Sequence, residues 1–194
     1  DPSYASGFGV FNLKKWGYEE RFMQAAGLSR SLFPEIIPSD GVVGRVTPQA
    51  ALETGLAPGT PVACGAVDNT CMALGSTGLA EGSVYTSLGS SSWIAVTSRE
   101  PILDVKTRPF VFAHARKGYY TSAVSIFSAG NSFRWARDNL CRDLKADVDA
   151  YDCMNEMAEG VPAGSNGVLF NPTLAGGSAQ EPSPNLMGGF MGPT

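Results

Sequence analysis

Val62-Ala63-Cys64-Gly65-Ala66-Val67-Asp68-Asn69 is the stretch on which the reading of this chain turns. Its small and apolar residues, Val62 to Val67, suit a short strand buried on both faces, as in a sheet covered by helices. The run stops at Asp68, and Asn69-Thr70-Cys71-Met72-Ala73-Leu74 continues as a helix of small side chains, broken by Gly75 and Gly78. A carboxylate at a strand-to-helix junction projects into the crevice where open α/β sheets bind ligands. There it can take a proton from an attacking hydroxyl. Capping the next helix is the commoner role for such an aspartate, so Asp68 alone does not decide between the two.

Working outward toward the start of the chain, Thr47 suits a helix N-cap, Pro48 the first helical position and Gly55 the position just past the end. Pro58-Gly59 then makes a turn. Earlier still, Tyr18, Phe22 and Ala26 recur every four residues before Gly27. That spacing predicts a short helix with one buried face and a left-handed C-terminal cap, with Trp16 packed at its start.

Downstream, residues 83–88 and 93–97 are β-rich runs flanking Gly89-Ser90-Ser91-Ser92, which predicts a hairpin. Strands are also expected at residues 110–114 and 119–124, giving a meander of three or four antiparallel strands. A helix follows Gly130, with Phe133, Ala136 and Leu140 on one side. Val148, Tyr151, Met154 and Met157 or Ala158 mark another, ending at Gly160, and Val168-Leu169-Phe170 reads as a short strand. The order of elements changes near residue 80, so the expected division is residues 1–80 and 81–194.

With 194 residues, 43% of them hydrophobic, the chain can bury at least one sizeable core, and it has no apolar run long enough to span a bilayer. A net charge of -4 without a basic cluster argues against nucleic acid and anionic membranes as partners. Cys64, Cys71, Cys141 and Cys153 lack C-x-x-C spacing and there is one histidine, so a zinc site would miss its usual ligands. Reduced thiols, and no signal-peptide pattern, fit a cytoplasmic protein. Both ends read as cut: Asp1-Pro2-Ser3-Tyr4 resembles the interior of a folded protein, and residues 188–194 offer no helix or strand to finish a domain.

Two further segments can carry chemistry. In Thr86-Ser87-Leu88-Gly89-Ser90-Ser91-Ser92, glycine and serine offer backbone N–H groups and hydroxyls that can cradle a phosphate, although ordinary hairpin turns favour the same residues. Ser128-Ala129-Gly130-Asn131-Ser132 lies at a helix entry, where anions bind and where caps are also needed. His114, in a strand, reads as structural, and no signature of a Ser-His-Asp triad accompanies it.

Taken together, Gly65-Ala66-Val67-Asp68-Asn69, Thr86-Ser87-Leu88-Gly89-Ser90-Ser91 and Ser128-Ala129-Gly130 leading to Arg134-Trp135-Ala136-Arg137-Asp138 resemble the central region of FGGY carbohydrate kinases, xylulose kinases most of all. Asp1-Pro2-Ser3-Tyr4-Ala5-Ser6-Gly7, Val43-Gly44-Arg45-Val46-Thr47-Pro48, Pro58-Gly59-Thr60-Pro61-Val62 and Pro172-Thr173-Leu174-Ala175-Gly176 extend the resemblance over nearly the whole chain. It implies an α/β fold of the actin and hexokinase type, with a ribonuclease-H-like core in each of two domains. Residues 1–80 would end the first, sugar-binding domain and residues 81–194 would begin the second, ATP-binding domain.

The resemblance further implies ATP and Mg²⁺ as cofactors. Asp68 would be the catalytic base and Asn69 would line the sugar site or support the base. Gly89, Ser90 and Ser91 would hold ATP phosphates, and Gly130 and Arg134 would lie near the nucleotide. No metal ligand is assigned within the chain. The implied reaction is transfer of the ATP γ-phosphoryl group to a sugar hydroxyl, D-xylulose to D-xylulose 5-phosphate. The alternatives are gluconate, glycerol or another polyol as acceptor, or a non-catalytic sugar-binding domain of the same fold.

Two departures temper this. The first-domain D-x-G-T/S phosphate loop and the later Gly-Gly adenosine segment are absent, so the chain by itself is expected to be inactive. Where many relatives carry E-R-T-P, residues 177–182 read Gly-Ser-Ala-Gln-Glu-Pro. Apolar surface left uncovered is expected to favour self-association, in the simplest case a homodimer.

Overall fold

The carboxylate of Asp1 accepts hydrogen bonds from the backbone N–H of Ser3 and Tyr4 and so caps the first helix, α1 (Pro2–Ala5). In the computed structural model, which describes residues 1–77, 79–144, 149–177, 180, 181, 183 and 185–192, the chain divides into two compact units. The first comprises Asp1–Tyr85, Ala95–Leu103 and Phe110–Ala123, and the second Thr86–Ile94, Asp104–Pro109 and Val124–Thr194.

In the first unit, α1 is followed by the short antiparallel pair β1 (Phe11–Asn12) and β2 (Gly17–Tyr18), then α2 (Glu20–Ala25). Gly27 has the left-handed backbone expected of it, φ +67°, but α2 buries Met23, while Phe22 stays exposed and Tyr18 belongs to β2. The every-fourth-residue pattern therefore names the helix and misses its inner face. β3 (Val42–Arg45) pairs antiparallel with β4 (Pro61–Ala63). Between them, α3 (Pro48–Thr54) has the anticipated ends: the Thr47 hydroxyl accepts from the Ala50 N–H, and Gly55 closes the helix at φ +75°.

The run from Val62 to Val67 is not the doubly buried strand its composition suggests. β4 is only three residues long, among the described residues it pairs with β3 alone, and both strands are exposed. Residues 64–67 form an irregular junction before α4 (Asp68–Thr77). The helix continues through Gly75 rather than breaking there, a substitution that costs a helix interior only about 1 kcal/mol. Gly78 lies outside the described residues.

The core of this unit gathers Ala5, Phe11 and Ala113, with Leu13, Trp16, Tyr18 and Ile36 packed against them. Trp16 donates from its indole N–H to the Tyr120 hydroxyl, which donates in turn to the Leu13 carbonyl. A four-stranded sheet has the order β5 (Val84–Leu88), β6 (Ser92–Ser98), β8 (Tyr120–Ile126), β7 (Phe110–Ala113). The expected strands are all present, but the sheet is not a meander. Among the described residues, β8 lies between β6 and β7, which leaves β7 at the edge, antiparallel to β8.

The second unit carries α5 (Gly130–Leu140) and α6 (Ala150–Glu159). Phe133 of α5 meets Tyr151 of α6 with ring centroids 5.3 Å apart, and the Arg137 guanidinium lies over the same tyrosine. Gly160 ends α6 in right-handed rather than left-handed geometry, and Val148 lies outside the described residues. β9 (Leu169–Asn171) pairs with β10 (Gly189–Met191), so the region expected to hold no strand contains one. Phe170 and Phe190 face each other across that pair at 4.6 Å, the kind of cross-strand contact that stabilises a short ladder. Pro193 and Thr194 lie outside the described residues, and no described helix is long and apolar enough to cross a membrane.

Candidate active site

The junction before α4 has no regular backbone pairing of its own, so its conformation depends on donors finding acceptors elsewhere. Three of its N–H groups do: Cys64 donates to the Gly41 carbonyl (2.8 Å), Gly65 to the Ser39 carbonyl (2.9 Å) and Val67 to the Ser3 hydroxyl (2.9 Å). α4 then starts from the Val67 carbonyl, which accepts from Thr70 and Cys71. Asp68 is thus the first residue inside the helix rather than the cap before it. Its carboxylate is exposed and accepts from the neighbouring Asn69 N–H at 2.7 Å. The carbonyl of Asn69 accepts from the Tyr85 hydroxyl at 3.1 Å.

Exposed and tethered to the neighbouring peptide, the Asp68 carboxylate is open to a ligand hydroxyl. A cavity of about 800 Å³ lies in this unit, lined by Gly65, Ala66 and Cys71 beside Asp68, together with Trp16, Asp40 and Arg116. Asp68 itself is not among its lining residues.

The second cluster lies within the second unit. Ala129 and Asn131 donate their N–H groups to the Ser90 carbonyl, and Gly130 donates to the Gly89 carbonyl. The loop carbonyls therefore take up the N–H groups at the start of α5, and the helix entry at residues 128–132 does not offer those donors to an anion. Among the described residues, the N–H groups of Ser90 and Ser91 have no backbone acceptor. The donors suited to a phosphate thus belong to the turn itself.

Gly130 has a steric reason to be glycine. A Cβ there would lie 2.6 Å from the Gly89 carbonyl oxygen, so only glycine permits this close approach of helix and loop. Gly89, Ser90, Gly130 and Arg134 together line a cavity of about 320 Å³, with Phe133 and Tyr151 completing the wall. Ser91 is outside that lining. The sequence marks both aromatic residues as helix-packing positions and gives no sign of their place in the cavity wall.

The Pro172-Thr173 segment supports the same cluster. Ser132, buried in α5, donates to the Pro172 carbonyl at 2.8 Å and shares a 2.7 Å hydroxyl contact with Ser128. Of the departure at residues 177–182, Ser178, Ala179 and Pro182 lie outside the described residues. His114 is completely buried, its Nδ1 accepts from the Arg116 N–H, and burial holds its pKa below the ordinary histidine value. A neutral imidazole enclosed in this way serves packing, not an exposed triad.

Comparison with known proteins matches residues 1–75 to the FGGY family of carbohydrate kinases, N-terminal domain. A gluconokinase from Bacillus subtilis is 30% identical over 100% of this chain and 39% of its own length. A xylulose kinase from the same organism is 28% identical over 98% of this chain and 37% of its length. Among solved structures, the xylulose kinase from Rhodospirillum rubrum superposes with a TM-score of 0.82 at 28% identity, over 100% of this chain and 38% of that one. The fold is accordingly that of the actin and hexokinase type, and the chain spans about two-fifths of the length of these relatives. Over its first 75 residues this chain matches the FGGY family of carbohydrate kinases, N-terminal domain, and along nearly its whole length it is similar to carbohydrate kinases.

Proposed function

We propose that the chain forms part of an ATP-dependent sugar kinase, in which Asp68 accepts the proton of the attacking sugar hydroxyl and Asn69 lines the sugar site. The observation that carries this reading is the convergence of Gly89, Ser90, Gly130 and Arg134 on one cavity, with the Ser90 and Ser91 N–H groups free of backbone acceptors. Backbone N–H groups without backbone acceptors, in a turn whose cavity Arg134 also lines, suit phosphate oxygens. Bound ATP, with Mg²⁺, would supply the phosphoryl group. The chain's own contribution is then positioning and electrostatics, plus a base for the acceptor hydroxyl.

Within this proposal, residues 1–80 end a sugar-binding domain and residues 81–194 begin an ATP-binding one, in a cytoplasmic enzyme. Ketopentose and gluconate are both live as acceptors, because the relatives at 28% and 30% identity bear the names xylulose kinase and gluconokinase. The test is a substrate panel on the full-length protein: D-xylulose, D-gluconate and glycerol with ATP, followed by ADP release and phosphorus NMR of the product. Phosphorylation of one panel member supports the reading. ADP release no faster than without sugar, across a wide range of sugars, rejects it.

A further inference from the structure

The junction that presents Asp68 is held by residues far away in the chain. Ser3 is 1% exposed and its hydroxyl does two jobs: it accepts the Val67 N–H at 2.9 Å and donates to the Asp1 carboxylate at 2.6 Å. The same Asp1 oxygen accepts from the Ser39 hydroxyl at 2.8 Å, and the Ser39 carbonyl accepts the Gly65 N–H. Asp1 thus orients two serines, one gripping the residue immediately before Asp68 through its side chain and the other gripping Gly65 through its backbone. Val67 occupies the cap position of α4 but its side chain has no polar atom, so it cannot cap the helix itself.

We propose that Ser3, oriented by Asp1, is a positioning residue for Asp68. Its hydroxyl fixes the Val67 peptide and so sets where α4 begins and where the Asp68 carboxylate projects. A hydroxyl has one proton to give, and here it goes to a carboxylate, which leaves its lone pairs for the Val67 N–H. The bond to an ionised acceptor is the stronger kind, so the serine rotor is locked. This inference rests on the reading of Asp68 as the base, and the test separates the two.

Two measurements on the full-length protein are needed for Ser3→Ala, Ser3→Thr and Ser39→Ala. The first is hydrogen exchange of the peptide spanning residues 64–70, which reads the relay without reference to activity. Ser3→Ala is expected to speed exchange there at least ten-fold, Ser3→Thr to restore protection, and Ser39→Ala, which keeps its backbone acceptor, to produce a smaller change. The second is the split between kcat and KM. Displacement of a reacting group by about 1 Å can cost on the order of 100-fold, so Ser3→Ala should lower kcat by roughly 10- to 100-fold with the KM for ATP unchanged. Recovery of kcat in Ser3→Thr supports the proposal, because loss of general stability would lower the amount of active enzyme rather than its kcat. Unchanged exchange in Ser3→Ala overturns the relay whatever the protein does. Faster exchange with unchanged kcat, in an enzyme that Asp68→Asn disables, overturns the positioning role while leaving the kinase reading intact. An enzyme insensitive to Asp68→Asn overturns both.

Discussion

The Asp68 junction and the Gly89–Ser90 turn are built by opposite means. The turn is held by backbone bonds from residues 129–131 and by a glycine whose missing Cβ allows the approach. The junction is held partly by side chains, through a carboxylate and two hydroxyls that lie from 28 to 66 residues before Val67 in the chain. A backbone-built turn tolerates changes of side chain as long as volume is respected. A relay built from hydroxyls is sensitive to single atoms.

Gly130→Ala should break the turn and spare the junction. Its Cβ would press on the Gly89 carbonyl at 2.6 Å, an overpacking that typically costs about 1–3 kcal/mol. ATP affinity should fall at least ten-fold in calorimetry while exchange at residues 64–70 stays as it was. Asp1→Ala should do the reverse. It leaves the Ser3 and Ser39 hydroxyls without their acceptor and uncaps α1, for a loss of roughly 2 kcal/mol in urea unfolding. ATP affinity should be unchanged.

Thr47→Ala sharpens the contrast from outside both regions. Removing the α3 cap should cost about 1 kcal/mol of stability without altering ATP affinity or exchange at residues 64–70. A smaller effect is expected from pH. Burial lowers the His114 pKa from its ordinary value of 6.5, so the unfolded chain binds this proton more readily than the folded one. That contribution is fully present above pH 6.5 and declines as pH falls below it toward the folded value. Unfolding midpoints measured from pH 8 to 5 should therefore show a fall below about pH 6.5 that flattens in His114→Gln.

The same contrast explains what could be read from sequence. The Thr47, Pro48 and Gly55 punctuation and the Gly89-Ser90 turn are legible because each signal acts on its immediate neighbours. Asp68 is legible as a candidate because its residue type and its place before a helical run carry the chemistry. Ser3 is not, since nothing local distinguishes it from any small residue; its importance lies in a bond to a peptide 64 residues away. The run from Val62 to Val67 misleads for a related reason: small apolar composition describes what a segment tolerates, while its burial depends on which elements pack against it, and β4 is exposed along its length. Phe133 and Tyr151 are missed because an aromatic residue at helical spacing serves a core and a cavity wall equally well.

Turnover by Asp68→Asn in the full-length protein tests the central claim most directly. The substitution keeps the size of the side chain and removes the proton acceptor, so kcat should fall by about 10²–10⁴-fold while calorimetry finds ATP binding unaltered. An unchanged kcat would contradict the assignment of Asp68 as the base.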